Sequence, residues 1–310
     1  FRSAGLPAAP ARAADTLRAG KAIINSFPMA ALEVGKEHGV FGAENIDLVI
    51  STFRGDGQMQ QALTANAVDI GIGSGPGMGY AAKGVPARAV AAMASEPRNM
   101  ALVVPRDGPV KTVADLKGRR VGVSTAGSLT DWLVRATSAR QGWGPEGIEI
   151  LPMGEVRTRQ IAMRQGQLEG SVTSIEEGVD FEETGQGRVL MTFGDIVPDF
   201  HTHVIFATDA LIKGQPDVLR RFLRGWFRTV AFMKANRAAA VKAIAKTTGY
   251  SEKIVDLSYE TEMGMISYDG AFSAKALEIL RKSFKDLGVL EHVPEIKDIY
   301  NPDFAPVKIQ

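Results

Sequence analysis

The 310-residue sequence contains no cysteine, which excludes disulfide bonds, thiolate metal ligands and cysteine nucleophiles. It also lacks a charge excess, because 36 lysine and arginine residues stand against 35 aspartate and glutamate residues. General nucleic-acid binders usually carry a clear basic excess, so we expect no nucleic-acid partner. No apolar run approaches the roughly 18 residues of a membrane span. What is present, 45% apolar and 23% charged residues, is typical of a globular protein, and the length suggests two domains.

The motifs of several enzyme classes are missing from the sequence as well. The glycine-rich stretch 71–79 contains no G-x-G-x-x-G frame, and the stretch 122–128 has the spacing of a phosphate-binding loop without its lysine. Neither a G-x-S-x-G nor an H-E-x-x-H motif occurs. We therefore expect a protein that is not an enzyme and uses no cofactor.

The histidines and acidic pairs give weak signals. His201 and His203 alternate along a predicted strand and share a face with each other, and Asp199 lies close in sequence. Two histidines alone are a weak metal motif, because metal sites usually have three or four protein ligands, so we expect no metal. His203 is instead a candidate for the wall of a ligand cleft, with a structural or exposed role as the alternative. The acidic pairs at 176–177 and 182–183 are predicted to lie on a surface helix.

Residues 1–14 are rich in alanine and proline and include Ala11-Arg12-Ala13. This pattern resembles the cleavage end of a secretory signal peptide. We interpret the segment as a signal-peptide remnant, which favours a periplasmic location. A plain Ala/Pro-rich tail is the alternative interpretation.

From residue 17 onwards, short strand-like runs alternate with helical stretches. Strands are predicted at 17–24, 46–50 and 68–72, with helices at 29–37 and 58–65 between them, and this order favours a parallel sheet covered by helices. The same succession returns between residues 120 and 172. The segment 62–69 can be laid over 162–169, and each is followed by a strand that ends on a serine, Ser74 or Ser174. The pattern predicts two similarly built α/β lobes.

Two further apolar runs, 102–104 and 204–207, are predicted to cross between the lobes as a hinge. The chain beyond residue 208 is mostly helical. Its strongest helix, 218–236, has one apolar face and an arginine-rich opposite side. We interpret it as a helix docked on the protein, with a membrane-surface helix as the alternative.

Small-residue loops follow the predicted strands in both halves, at the edge where open α/β sheets bind ligands. The loop at Gly127 and Ser128 leads into a helix whose first N–H groups suit an anion or a carbonyl oxygen. A simple helix cap formed by Ser128 is the alternative. The candidate ligand-binding residues of these loops are Ser26, Phe27, Arg54, Ser74, Gly75, Thr125, Gly127, Ser128 and Leu129.

Several short motifs follow one another in a fixed order: the segment 62–69, Gly73-Ser74-Gly75-Pro76, Gly84-Val85-Pro86, Leu102-Val103-Val104, Asp115-Leu116-Lys117-Gly118, Val121-Gly122-Val123 and Gly127-Ser128-Leu129-Thr130. In this order they resemble the nitrate/sulfonate/taurine-binding type of ABC-transporter solute-binding protein. The resemblance implies the type II periplasmic binding protein fold, with two α/β lobes that close on a solute. It implies a first lobe of 15–103 plus 204–310 and a second lobe of 104–203. It also implies secretion, a membrane permease as partner and a monomer.

By position, the resemblance implies ligand contacts at seven residues, Ser26, Phe27, Ser74, Gly75, Gly127, Ser128 and Ser174. It leaves the solute open. An inward-facing Arg54, together with the backbone at Gly127 and Ser128, would favour an anionic group such as a sulfonate or carboxylate, and Phe27 would stack on an apolar body. The alternatives are an enzyme on the same two-lobe fold and the ligand-sensing domain of a regulator. A related eukaryotic enzyme that makes a thiamin precursor needs a cysteine-rich motif, which this sequence lacks.

Overall fold

The computed structural model describes residues 13–194, 196–197 and 199–309, so the predicted signal-peptide remnant lies almost entirely outside the described residues. The strands in the described part of the chain are β1 Asp15–Lys21, β2 Ile46–Thr52, β3 Ile70–Ser74, β4 Ala87–Ala94, β5 Met100–Pro105, β6 Arg120–Val123, β7 Glu149–Pro152, β8 Gly170–Ser174, β9 Gly187–Thr192 and β10 His203–Thr208.

The α-helices of the described residues cover the sheets and build the C-terminal third of the chain. They are α1 Ala31–Glu37, α2 Val40–Ala43, α3 Asp56–Thr64, α4 Gly79–Ala82, α5 Leu129–Arg140, α6 Val156–Arg164, α7 Ile175–Glu183, α8 Asp209–Gly214, α9 Pro216–Ala235, α10 Arg237–Thr248, α11 Glu252–Met265, α12 Ala274–Asp286 and α13 Ile296–Ile299. Short 3₁₀ turns occur at Pro28–Ala30, Pro76–Met78, Val113–Leu116 and Pro302–Phe304.

The strands form two five-stranded sheets of the same design. The first has the order β2-β1-β3-β10-β4 and the second the order β7-β6-β8-β5-β9. In each sheet three neighbouring strands run parallel, and the next strand, β10 or β5, runs antiparallel to them. The chain passes to the second sheet between Ala94 and Met100 and returns between Thr192 and His203. The predicted crossing runs lie in β5 and β10, which confirms the two-lobe α/β fold, while the lobe boundaries at 103/104 and 203/204 stay a prediction.

The same kind of ion pair ties the middle one of the three parallel strands in each sheet to the turn before a neighbouring strand. Arg18 of β1 donates to Asp69 through its backbone N–H and its guanidinium, with an Nη2–Oδ1 distance of 2.6 Å. Arg120 of β6 binds Glu169 in the same way, and its backbone N–H lies 2.9 Å from Oε2. Each arginine also donates to the carbonyl of a positive-φ turn residue three positions before the acid. The repeat predicted from the sequence is therefore a repeat of structure.

The Arg120–Glu169 pair should make stability depend on pH at the acid end. The Arg120 hydrogen bond lowers the pKa of Glu169, so this carboxylate stabilises the folded state above its ordinary pKa of about 4.3. That stabilisation is lost as the pH falls through the lowered pKa of the folded state. We expect Glu169→Gln to lower the Tm at pH 7, and the gap to wild type to close as the pH falls below about 4.3 and through the lowered pKa of the folded state. Thermal melts of both proteins, with exposed Glu146→Gln as the control, check this; a gap of constant size would contradict it.

The long helix α9 docks its apolar face on the first lobe, as the sequence predicts. Its buried residues include Leu219, Phe222, Leu223, Trp226, Phe227, Val230 and Met233. On another side of the helix, Arg224 and Arg228 form ion pairs with the buried carboxylate of Glu44. None of the helices in the described part of the chain is both long and apolar enough to cross a membrane.

Candidate functional site

A cavity lies between the two sheets, where the carboxyl ends of their parallel strands face each other. This is the place where open α/β sheets bind ligands. The first lobe contributes Ala22, Ile23, Asn25, Ser26, Phe27, Met29, Asp56, Ser74, His203 and Glu262. The second lobe contributes Ser124, Leu129, Thr130, Val156, Arg159, Val172, Thr173 and Ser174, and the crossing segment contributes Asn99 and Met100.

Six of the residues predicted from the sequence line this cavity: Ser26, Phe27, Ser74, Leu129, Ser174 and His203. Ser74, at the end of β3, donates its hydroxyl to Asp56 Oδ2 and its backbone N–H to Oδ1, both at 2.9 Å. Asp56 lies at the start of α3, and its burial raises the pKa of its carboxyl. Phe27 packs edge-on against Tyr259, with ring centroids 5.6 Å apart. Strand ends that are far apart in sequence are thus brought to one cavity.

In the loop before α5, the groups that the sequence predicts as anion ligands do not face the cavity. The Gly127 N–H donates to Asp131 Oδ2 at 2.8 Å, and Ser128 caps α5 by accepting the Asp131 N–H. Thr125 accepts the Gly57 N–H through Oγ1 at 3.1 Å, which is a contact between the lobes. The helix start predicted as an anion site is therefore occupied by its own side chains. Of the residues predicted here as ligand contacts, only Leu129 lines the cavity, beside Ser124 and Thr130.

Two further predicted residues also lie outside the cavity wall. The Arg54 side chain is 69% exposed and pairs with Glu155 of the second lobe, with an Nε–Oε1 distance of 3.2 Å. It borders a neighbouring opening that also contains Arg157. Gly75 packs against the segment before β10, where its N–H donates to the Thr202 carbonyl at 3.1 Å. Arg54 therefore lies at the rim, the outer edge of the cavity where it pairs with Glu155, and Gly75 lies against the segment that returns the chain to the first lobe.

Arg159 of α6 supplies the positive charge of the cavity wall. Its side chain is 1% exposed, and Nη1 donates to Ser171 Oγ at 2.9 Å and to the Val172 carbonyl. Among the described residues, its Nε has no hydrogen-bond partner, and no carboxylate lies within ion-pair distance of the guanidinium. Burial lowers the pKa of Arg159 to about 10, so the side chain stays cationic at neutral pH. Glu177 favours the charged form of Arg159 electrostatically but makes no ion pair with it, so the buried guanidinium remains available to bind an anion.

The acidic side chains at the start of α7 are buried, so their predicted place on a surface helix is wrong. Glu176 is 2% exposed and Glu177 is 8% exposed, because this end of α7 packs against α11 of the first lobe. The Tyr250 hydroxyl donates a hydrogen bond to Glu177 Oε2 at 2.7 Å, and Asn25 Nδ2 donates to the same hydroxyl at 3.1 Å. Burial raises the pKa of Glu177. The contact joins the two lobes beside the cavity.

His203 and His201 have different surroundings although they share a strand face in the prediction. His203 lines the cavity, its Nδ1 has no partner in the described part of the chain, and burial lowers its pKa to about 4, so the ring is neutral at pH 7. His201 accepts the Ser273 N–H through Nε2 at 3.0 Å. Asp199 pairs with Lys275. Within the described residues, no group of three or more histidine, aspartate or glutamate side chains is placed to hold a metal ion.

The family of the chain follows from its sequence match. Residues 26–240 match the family described as NMT1/THI5 like. The chain belongs to the NMT1/THI5-like family. No curated protein sequence matches it.

Solved structures share the fold of this NMT1/THI5-like chain. The alkanesulfonate-binding protein SsuA from Xanthomonas axonopodis pv. citri, bound to MOPS, aligns with a TM-score of 0.78 and 18% identity over 94% of this chain and 99% of that chain. The aliphatic sulphonate binding protein SsuA from Escherichia coli aligns with a TM-score of 0.74 and 20% identity over 93% of this chain and 92% of that chain. The ligand-binding component of an ABC-type import system from Staphylococcus aureus, with zinc bound, aligns with a TM-score of 0.79 and 15% identity over 96% of this chain and 100% of that chain. These likenesses confirm the periplasmic binding protein fold.

The polar residues of the cavity wall that the sequence prediction missed include Asp56, Asn99, Arg159 and Glu262. A signal for Arg159 was present in the repeat. Laying 62–69 over 162–169 places Arg159 of this NMT1/THI5-like chain opposite Met59, which is a fully buried apolar residue of α3. A charged residue at a core position of the repeat marks a functional candidate.

Proposed function

We propose that the protein is the extracytoplasmic solute-binding component of an ABC importer, which binds a small anionic organic solute such as a sulfonate or carboxylate. The observation that carries this is the buried Arg159, whose guanidinium faces the cavity between the lobes without a carboxylate partner among the described residues. An acid bound there neutralises the charge and completes its hydrogen bonds. The NMT1/THI5-like family and the fold of the sulfonate-binding neighbours support the proposal.

The cavity gives each end of such a solute a partner. Arg159 binds the acidic group, and the hydroxyls of Ser26 and Thr173 lie in the same wall as hydrogen-bonding groups. Thr173 Oγ1 has no partner within the described residues, so it is free to bind solute. Phe27 and Leu129 offer apolar surface to the body of the molecule. Arg54 and Glu155 form their ion pair at the rim, where they help to hold the mouth closed.

Hinge closure is the mechanism that fits this arrangement. A solute that contacts both walls stabilises the closed state by its differential affinity for closed over open. Contacts between the lobes, such as Tyr250 with Glu177 and Trp132 with Ser283, form only when the walls meet. The closed form, working as a monomer in the periplasm, is then the shape that a membrane permease recognises.

Transport needs no catalytic group, and the cavity favours binding over catalysis. A histidine that acts as a general base is normally oriented by a hydrogen bond to its second nitrogen. His203 Nδ1 has no such partner in the described part of the chain, and the Ser74 hydroxyl donates to Asp56. An enzyme on the same fold is the alternative, and it would release a product different from the molecule it bound.

A thermal-shift panel tests the proposed solute class. Each sulfonate or carboxylate is paired with its neutral amide of the same length. A ligand at 1,000 times its Kd stabilises the folded state by about 4 kcal/mol, so a true solute raises the Tm clearly. We expect acids to raise the Tm and amides to leave it unchanged. Amides that stabilise the protein as well as the acids do would refute the anionic solute.

A further inference from the structure

The cavity wall contains a buried acidic group as well as the buried cation Arg159. Glu262 of α11 lines the cavity and is fully buried. Asn99 of the crossing segment donates through Nδ2 to both oxygens of this carboxyl, at 2.9 and 3.0 Å. No cationic side chain of the described residues lies within ion-pair distance of it. A buried carboxyl without a cation is costly, and burial accordingly raises the pKa of Glu262 well above its ordinary value.

Asn99 adds a further hydrogen-bond acceptor beside this carboxyl. Because Nδ2 is turned to the Glu262 oxygens, the amide oxygen Oδ1 is the group that remains, and it has no hydrogen-bond partner among the described residues. Asn99 also lines the cavity and is 2% exposed. This end of the cavity therefore offers acceptor oxygens, whereas the guanidinium of Arg159 offers N–H donors.

The strand pairing of the second lobe sets the distance between these two ends. Nη1 of Arg159 is held at Val172 of β8, where it donates to the carbonyl oxygen. Asn99 lies opposite Ile175, whose N–H donates to the Asn99 carbonyl oxygen at 2.7 Å. The step from Val172 to Ile175 corresponds to about 10 Å along an extended chain. After about 3 Å for a hydrogen bond at each end, roughly 4 Å remain between the two polar groups of a bound molecule.

We propose that Asn99 and Glu262 form an amine-binding subsite, so that the solute is a short zwitterion with its acidic group at Arg159 and a primary ammonium group at Asn99 and Glu262. The inference rests on the proposed function, because it uses the same cavity and the same acid-binding arginine. An ammonium group has three N–H donors, which suit the Asn99 Oδ1 atom and the two Glu262 oxygens. Its charge supplies the cation that the buried Glu262 lacks.

A hydroxyl group is the nearest alternative occupant of this subsite. It offers one donor and no charge, so it satisfies one acceptor and leaves Glu262 without a counter-ion. A methyl group satisfies none of the acceptors. The acceptor oxygens and the missing cation therefore favour an ammonium group over either of them.

Three pairs of ligands test the subsite on the unmodified protein, with the Kd of each ligand measured by isothermal titration. γ-Aminobutyrate carries an acid and an ammonium group, and valerate replaces the ammonium group by methyl. The sulfonates homotaurine and butanesulfonate differ in the same way. γ-Aminobutyramide and valeramide repeat the change with a neutral amide in place of the acid. Each pair thus isolates the amine end, and the amide pair isolates the acid end.

We expect γ-aminobutyrate and homotaurine to bind about 10- to 150-fold more tightly than their methyl partners, the range for hydrogen bonds to a charged group. Glu262→Gln should lose most of this ratio while its affinity for valerate and butanesulfonate changes little. Glu260→Gln alters an exposed carboxylate of the same helix and should keep the wild-type ratio. If Glu262→Gln does not fold, the ratio in the wild-type protein decides the question by itself.

Equal affinities for the ammonium and methyl ligands, or the same ratio in wild type and Glu262→Gln, would overturn the amine subsite. The proposed function would survive that result as long as the acids bind more tightly than the amides. Amides that bind as tightly as the acids would refute the anionic solute, whereas a preference for ammonium over methyl would still support the subsite. If no ligand of the set binds, both proposals fail.

Discussion

Arg159→Met is expected to weaken the binding of acidic solutes by about 30- to 5,000-fold, which corresponds to 2–5 kcal/mol. The guanidinium is buried, keeps its charge at neutral pH and has no carboxylate partner among the described residues. A bound acid would be its counter-ion, and its loss leaves that acid buried without one. The unliganded protein should lose less stability than it loses affinity, because methionine fills the space and removes a desolvated charge, while Ser171 and the Val172 carbonyl lose their hydrogen bonds to Arg159. Isothermal titration with the best acid of the thermal-shift panel measures the first effect, and urea unfolding measures the second.

The rim arginine is the matched control for this experiment. Arg54→Met removes an exposed ion pair with Glu155, and such pairs contribute about 0.2–1 kcal/mol, so the Kd should change less than about sixfold. Arg159→Lys keeps a charge without the planar guanidinium and should fall between wild type and Arg159→Met. Equal losses from Arg54→Met and Arg159→Met would place the anion at the rim, against the present account.

Gly75→Ala is expected to lower the free energy of unfolding by about 3 kcal/mol or more. A Cβ at this position would lie 1.8 Å from the His201 carbonyl oxygen, which is backbone and cannot move aside cheaply. The contact joins the end of β3 to the segment that returns the chain to the first lobe. The substitution therefore strains the hinge as well as the fold. Urea denaturation followed by circular dichroism measures the change.

Gly79→Ala provides the comparison for Gly75→Ala from the same stretch of chain. Its Cβ would meet Phe284 and Val289 at 3.5 Å, which is ordinary contact distance. Because alanine favours helix over glycine by about 1 kcal/mol, this substitution should be neutral or stabilising. If both variants lose the same stability, the close backbone approach at Gly75 has no special role.

The sequence pattern was sufficient to predict the two lobes because each lobe repeats local signals. The strand, helix and turn order recurs, and the ion pairs Arg18–Asp69 and Arg120–Glu169 occupy equivalent places in the two copies. Strand ends of parallel sheets collect at one edge, so the positions of Ser74 and Ser174 at strand ends are enough to predict that both lie near a ligand cleft. These inferences depend on short-range pattern and on general rules of sheet topology.

The charged part of the cavity could not be predicted in the same way. Glu262 reaches the cavity from the C-terminal helices, and its partner Asn99 lies 163 residues away in the sequence. Nothing in the local sequence of α11 marks that contact. Local chemistry makes Arg54 and Gly127 candidates for binding an anion, but in the fold Glu155 pairs with Arg54 and Asp131 accepts the Gly127 N–H. Local residue type predicts which groups can bind an anion, whereas the tertiary neighbours decide which of them stay available.

Native mass spectrometry of the gently purified protein shows whether an acid is bound at Arg159, with wild type measured beside Arg159→Met. We expect wild type to carry one small organic acid per chain, released chemically unchanged on denaturation, and the variant to carry none. An adduct that is equally abundant on Arg159→Met, or a released molecule without an acidic group, would contradict it.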